Sequence, residues 1–363
     1  MKRFRVTARS LQYDVVTGRG AWRALRELHH RGYSSVFIVT EEGLWKRWGK
    51  MFLGESGLRD SRTLFVPAGE RSKSMKMVER LAARLLALGA DRRALLIALG
   101  GGVVGDLGGF VASSYMRGID FVQAPTTVVG QVDSAIGGKT GVNVGAMKNQ
   151  VGAFYPPRLV VAEPAVLASM APRAFRSGLY EVVKHGILAG PPLFGQLEEK
   201  LGELRPGNLE ALELILPVAA KVKVDVVNRD EREARLRLVL NLGHTFGHAL
   251  EEATAYRRFT HGEAVGWGLL IVIRLAEKMN ILKANEALRM ARLVWRVGPL
   301  PSIRAIEPRR VLPLLSQDKK SVGGRIQWVI PDRIGRVQIV TNVPKELVAG
   351  AYREIQQIRA PNA

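Results

Sequence analysis

The chain of 363 residues has no cysteine. That excludes disulfides, thiolate nucleophiles and cysteine-ligated zinc, and leaves any metal site to His, Asp and Glu. Long apolar runs are also missing: none approaches the roughly 18 residues that a membrane-spanning helix needs, so a soluble protein with no membrane partner is expected. The opening Met1-Lys2-Arg3-Phe4-Arg5 is basic but leads into no continuous apolar stretch. No secretory signal is therefore expected, and the cytoplasm is the expected compartment. Acidic residues are outnumbered, 33 against 54 Lys plus Arg, which leaves a net charge of +21. Such a surplus attracts polyanions and steers anionic small molecules. The basic residues are scattered, however, with no nucleic-acid motif of interleaved aromatics, so a solvated Arg-rich surface is expected rather than a specific nucleic-acid partner.

Length and composition suit two globular domains, each able to bury a core. Short β-branched runs at 35–40, 63–66 and 94–99 alternate with helical stretches such as 75–88, the pattern of parallel βαβ units. Beyond about Pro172 the texture changes to long amphipathic or apolar segments at 210–226, 238–254 and 264–279, which read as helices. The runs 326–330 and 337–340 predict a hairpin before a closing helix at 345–357. The division expected is an α/β domain over 1–171 and a mostly helical domain over 172–363.

Leu99-Gly100-Gly101-Gly102-Val103-Val104-Gly105-Asp106 follows an apolar strand and runs into a predicted helix. Glycines there let a ligand approach the backbone, and a helix N-terminus presents unpaired N–H groups to a pyrophosphate. The spacing is not the usual Gly-x-Gly-x-x-Gly on a first strand, and many glycine-rich turns bind nothing. Polar side chains crowd the stretch from Gln123 to Asn149, including Thr126, Thr127, Asp133, Lys139, Lys148 and Asn149, with little strand or helix period. Such density is costly in a core and suits a binding loop.

Four of the six histidines lie between 185 and 261. His244 and His248, four residues apart, share one helix face; His261 sits at a predicted helix start, and Glu181 offers a carboxylate with Lys184 one turn on. Two histidines and a carboxylate would leave coordination positions open for substrate oxygens. Spacing alone does not choose which two of His244, His248 and His261 bind metal. His29, His30 and His185 read as structural.

Taken in order from about Thr40 to Lys320, these segments resemble the dehydroquinate synthase family. The specific runs are Gly100 through Asp106, Arg117-Gly118-Ile119, Gln123 through Thr127, Gln131-Val132-Asp133-Ser134, Gly137-Gly138-Lys139-Thr140, Lys148-Asn149, Glu181-Val182-Val183-Lys184, Leu240-Asn241-Leu242-Gly243-His244 and His261-Gly262-Glu263. The resemblance implies a Rossmann-like NAD domain, a helical domain holding metal and substrate, and a homodimer. It implies Glu181, His244 and His261 as ligands of one zinc or cobalt ion, with His248 as a nearby acid-base residue. For NAD it implies Glu70, Lys73, Gly102, Val103, Val104, Gly105, Asp106, Thr126, Thr127, Lys139 and Lys148. For the substrate it implies Arg117, Asp133, Lys139, Asn149, Lys184, Lys223, Arg237, Asn241 and one of Lys319 and Lys320.

The reaction implied converts 3-deoxy-arabino-heptulosonate 7-phosphate, an anionic sugar phosphate, to 3-dehydroquinate and phosphate. NAD is reduced and reoxidised within each turnover, so the net reaction is redox-neutral. Lys184, Arg237, Asn241 and His248 carry the identities expected for a substrate with a carboxylate, against valiolone or inosose synthases; aminodehydroquinate synthase and a metal-dependent polyol dehydrogenase are the alternatives. The chain departs from the family at Val144-Gly145-Ala146-Met147, Glu41, Glu163-Pro164, Arg235 and Tyr180. Against the family pattern, Val144–Met147 changes the loop before Lys148 and Asn149, which still carry over, Glu41 lengthens a carboxylate expected at a ribose, and Glu163-Pro164 removes a hydroxyl expected near the cofactor; Arg235 and Tyr180 remove no predicted ligand.

Overall fold

The computed structural model describes residues 1–145, 147–232, 236–317 and 326–358. Two compact units emerge: Met1–Met170 with Leu212–Arg232, and Ala171–Ala211 with Glu233–Ala363. The first begins with a hairpin, β1 (Lys2–Ala8) and β2 (Leu11–Thr17), and continues through β3 (Val36–Glu41), α1 (Glu42–Ser56), β4 (Arg62–Val66), α2 (Met75–Ala87), β5 (Leu95–Gly100), α3 (Gly102–Ser114), β6 (Asp120–Pro125), β7 (Lys139–Val144), β8 (Met147–Phe154) and β9 (Leu159–Ala162). Seven of these strands form one sheet, in the order β1-β2-β9-β6-β5-β3-β4, parallel everywhere except in the β1–β2 hairpin. Every residue of β5 is buried, as befits a central parallel strand covered on both faces. Val78, Leu81 and Leu85 turn one stripe of α2 into the core, where they meet Phe37, Leu64, Leu96 and Leu107.

The polar stretch after Phe121 is more regular than its composition predicts. It contains β6, a π-helical turn at Gly130–Ser134 and the antiparallel β7–β8 hairpin. Nearly every residue of β8 is exposed, so no apolar alternation marks it. The hairpin instead closes through glycines: a Cβ on Gly152 would stand 2.0 Å from the Thr140 carbonyl oxygen.

The chain continues in α4 (Pro172–Ala189), α5 (Pro191–Lys200), α6 (Leu209–Arg229), α7 (His244–Ala253), α8 (His261–Lys278), α9 (Ala284–Arg296), a short α10 (Pro308–Val311), the hairpin β10 (Trp328–Arg333) and β11 (Arg336–Val340), and α11 (Lys345–Gln357). A single cut at residue 171 would leave α6 in the second unit, but most of it clusters with the first. The reason is packing: Ala220, Val224 and Val227 join Val6, Leu11, Tyr13 and Val15 in one apolar cluster. The helix expected across 238–254 is also broken. Leu236–Asn241 forms a 3-10 turn, and Gly243 takes a left-handed φ of 79° before α7 starts at His244. A Cβ on Gly243 would come within 2.9 Å of the Leu269 backbone nitrogen, so both conformation and contact require glycine.

Within the second unit α8 is the central helix, buried from Gly262 through Ile273. A capping box holds its start. The Thr260 hydroxyl accepts from the Glu263 N–H, and the Glu263 carboxylate accepts from the Thr260 N–H at 2.8 Å.

Candidate active site

Three elements of the second unit bring a carboxylate and two imidazoles together. Glu181 lies mid-way along α4 and is 1% exposed, His244 opens α7, and His261 opens α8. Glu181 Oε1 stands 3.6 Å from His244 Nε2 and 3.4 Å from His261 Nε2. One donor atom from each of the three lies within 4.8 Å of the others, a spacing a single divalent cation spans. The approach of α4 to α8 depends on Gly262, where a Cβ would fall 1.8 Å from the Ser177 carbonyl oxygen.

The far sides of both rings are engaged. His244 Nδ1 lies 3.2 Å from the Leu242 carbonyl oxygen, and His261 Nδ1 lies 3.1 Å from Glu251 Oε2. With Nδ1 carrying the proton, both Nε2 lone pairs point toward Glu181, so the donor set fits a zinc- or cobalt-type ion. Burial holds the His244 pKa well below its ordinary 6.5. For His261 burial also opposes the charged form, but Glu181 and Glu251 outweigh it and push the pKa up to about 10.

Around this cluster stand other residues singled out in the sequence. Lys184, one turn beyond Glu181, is fully buried and its ammonium contacts Glu181 Oε2. His248 is partly buried, its ring centroid 5.5 Å from that of His244 and 6.0 Å from that of His261. Arg237 is 1% exposed on the 3-10 turn that ends at Asn241. Lys319 and Lys320 lie outside the described residues.

The first unit gathers a second group at the carboxyl ends of its parallel strands. Gly101 joins β5 to α3, and a Cβ there would meet Thr127 Cγ2 at 3.0 Å; one on Gly102 would meet Ser134 Oγ at 3.2 Å. Glycine keeps that turn low beside the α3 N-terminus, a cradle of the kind that accepts a pyrophosphate. Val104 and Gly105 are buried in α3, and Val103 is partly so. Lys73, 5% exposed, contacts both Asp106 and Asn149. Burial raises the Asp106 pKa, and Lys73 opposes that rise. Asn143 donates to Glu70 at 2.7 Å and accepts from the Asn149 N–H at 2.9 Å, while Asn149 itself has a left-handed φ of 56°. Lys223 of α6 pairs with Asp133. Arg117 and Lys139 are exposed, Lys148 is partly exposed, and Thr126 is buried, its N–H donating to the Gly100 carbonyl.

Sequence reasoning assigned no role to Glu251 or Asn143. Glu251 follows His244 by seven residues and so lies on its helix stripe, a signal that was legible. Asn143 sits on a strand that only pairing reveals. Of the departures from the family pattern, Glu163 is explained: its fully buried carboxylate accepts backbone N–H groups of Gly20, Ala21 and Ala165. Tyr180 donates to the Gly298 carbonyl at 3.1 Å.

Comparison with known proteins agrees with this geometry. Family profiles described as 3-dehydroquinate synthase N-terminal and C-terminal match residues 63–177 and 178–321. A 3-dehydroquinate synthase of Solibacter usitatus is 42% identical over 341 residues, 94% of this chain and 96% of the relative. A solved 2-deoxy-scyllo-inosose synthase complexed with carbaglucose-6-phosphate, NAD+ and Co2+ superposes with a TM-score of 0.84 at 25% identity, covering 97% of this chain and 99% of that one. The 2-epi-5-epi-valiolone synthase of Streptomyces hygroscopicus subsp. jinggangensis 5008, with NAD+ and Zn2+ bound, gives 0.82 at 28% identity with the same coverages.

Proposed function

The chain belongs to the 3-dehydroquinate synthase family, and we propose that it closes 3-deoxy-arabino-heptulosonate 7-phosphate into 3-dehydroquinate with release of phosphate. It uses NAD and one divalent metal ion. The convergence of Glu181 Oε1 with the Nε2 atoms of His244 and His261 carries this reading, because it is a donor set with room for substrate oxygens. The relative 42% identical to the chain has the same activity, whereas the two inosose- and valiolone-type cyclases are 25% and 28% identical.

Held by Glu181, His244 and His261, the cation would supply Lewis acidity toward substrate hydroxyls, and NAD beside the Gly101-Gly102 turn would supply reversible hydride chemistry, which leaves the net reaction redox-neutral. The chain's own residues bind and orient the anion. Lys184 and Arg237, both buried cations, would face the carboxylate and phosphate with far less competition from water than surface lysines meet. Asn241 supplies an amide beside them, and His248, four residues after a ligand on the same helix, is positioned to move a proton at the phosphate side. In the first unit Lys73 holds Asp106 and Asn149 in place beside the glycine turn that takes the pyrophosphate, with Glu70, Thr126, Thr127, Lys139 and Lys148 as further NAD contacts. The family resemblance also assigns Asp133, Lys223, Arg117, Lys139 and Asn149 of the first unit to the substrate. The family resemblance supports a cytoplasmic homodimer, which light scattering tests. No helix among the described residues is long and apolar enough to cross a membrane.

The deciding experiment follows phosphate release from 3-deoxy-arabino-heptulosonate 7-phosphate with and without NAD and chelator, monitoring absorbance for net NADH. Release that requires both, forms 3-dehydroquinate and accumulates no NADH supports the assignment. Net NADH would make the protein a dehydrogenase. No release with this substrate, but turnover of another sugar phosphate, would move it to a sister cyclase.

A further inference from the structure

His244 and His261 face Glu181 alike but are braced differently from behind. His244 Nδ1 rests on a backbone carbonyl of its own turn, Leu242, at 3.2 Å. His261 rests on a side chain from another helix: Glu251 Oε2, 3.1 Å from its Nδ1. Glu251 is 4% exposed and lies on α7 three residues after His248 and seven after His244, so one stripe of α7 carries all three. A carboxylate seldom occupies so buried a position without partners. His261 has its ring at a helix start, with a side chain 40% exposed.

We propose that Glu251 is a positioning residue for the metal centre: by accepting the Nδ1 hydrogen of His261 it fixes the ring's tautomer and plane, so that Nε2 is presented to the cation. Resting on the assignment of Glu181, His244 and His261 as ligands, the proposal adds a residue that does not itself touch the metal. A carboxylate behind an imidazole also increases its donor strength, and loss of such a partner typically costs about 10–100-fold in metal affinity. The competing role is direct ligation, since His248, Glu251 and His261 also place donor atoms within 4.8 Å of one another.

The test uses Co2+ titration of chelator-stripped full-length protein, reading affinity, stoichiometry and the visible d–d spectrum, with thermal melting of the stripped protein as a fold control. Variants are Glu251→Ala, the near-isosteric Glu251→Gln, the exposed neighbour Glu252→Ala, and Glu181→Ala. Expected are one Co2+ per chain, affinity lower by about 10–100-fold in Glu251→Ala, a smaller loss in Glu251→Gln, whose amide oxygen still accepts from Nδ1, an altered d–d spectrum in both, and no change in Glu252→Ala. Wild-type affinity and spectrum in both Glu251 variants, while Glu181→Ala loses the metal, would overturn the positioning role alone. Wild-type binding by Glu181→Ala would instead overturn the ligand assignment. A second equivalent of Co2+ that disappears with Glu251→Gln would make Glu251 a ligand and overturn the proposal. If Glu251→Ala fails to fold, Glu251→Gln decides.

Discussion

The start of α8 gives a local test of how this fold positions a ligand. Glu263 has a nearly buried carboxylate that accepts from the Thr260 N–H at 2.8 Å and from Arg173 Nε and Nη2 at 2.7 and 2.8 Å. Glu263→Ala removes the return half of the capping box, worth about 1 kcal/mol. It also removes a bidentate ion pair. Because the Arg173 side chain is 53% exposed, its guanidinium rehydrates, and the pair is discounted to about 1 kcal/mol. The first turn of α8 should therefore open more easily by about 2 kcal/mol, which raises hydrogen exchange of its amides about 30-fold. His261 is the first residue of that turn, so Co2+ affinity should fall with it, while exchange in β5 of the other unit stays unchanged. Glu263→Gln keeps a cap acceptor and loses the ion pair, and should fall between. Unaltered exchange at residues 261–264 together with unaltered Co2+ affinity would show that the cap does not hold the ligand.

Other perturbations discriminate further. Lys73→Met removes the cation between Asp106 and Asn149 and should weaken NAD binding at least tenfold by calorimetry, leaving metal stoichiometry at one; equal NAD affinity would refute the role. Gly262→Ala sets a methyl 1.8 Å from a carbonyl oxygen, so helices must part at a cost on the order of 3 kcal/mol; a wild-type melting curve with intact metal binding would contradict the close approach. Lys278 and Arg274 hold the Glu354 pKa below its ordinary 4.5, so their contribution to stability is present above 4.5 and fades as pH falls through the lower folded value. Glu354→Gln should then be less stable than wild type by about 0.5–1 kcal/mol at neutral pH, since Glu354 is 40% exposed. The gap should close in acid, and a gap that persists there would point to packing instead.

Much of this was legible in the sequence because the signals were local. The strands at 35–40, 63–66 and 94–99, the helix at 75–88 and the closing helix fall within a residue or two of β3, β4, β5, α2 and α11. Apolar period and turn residues suffice for such elements. The β7–β8 hairpin was not legible: β7 buries only Thr140, Gly141 and Val142, β8 is mostly exposed and shows no apolar alternation, and the glycines at their close approach read as loop. The break at Gly243 is not visible in the apolar pattern, which continues through Leu242 and Phe246, and the contact that excludes a Cβ there is with Leu269, distant in sequence. At the metal cluster, spacing left the choice among three histidines open and resemblance supplied it; Glu181 Oε1 then lies near both His244 and His261. Glu251 escaped notice because its importance depends on which ring it stands behind.

The return of residues 212–232 to the first unit affects how the polypeptide can be made and divided. The sheet face bearing Val6, Leu11, Tyr13 and Val15, which Ala135 and Ile136 pack against, stays incompletely covered during synthesis until Ala220, Val224 and Val227 emerge, after the start of the second unit has already been translated. The nascent chain thus carries an apolar surface that its first 170 residues cannot bury, a point at which holding chaperones would act. A fragment ending at 171 should be sticky and poorly soluble. One that joins residues 1–170 to 212–232 through a short polar linker should fold independently and stay soluble.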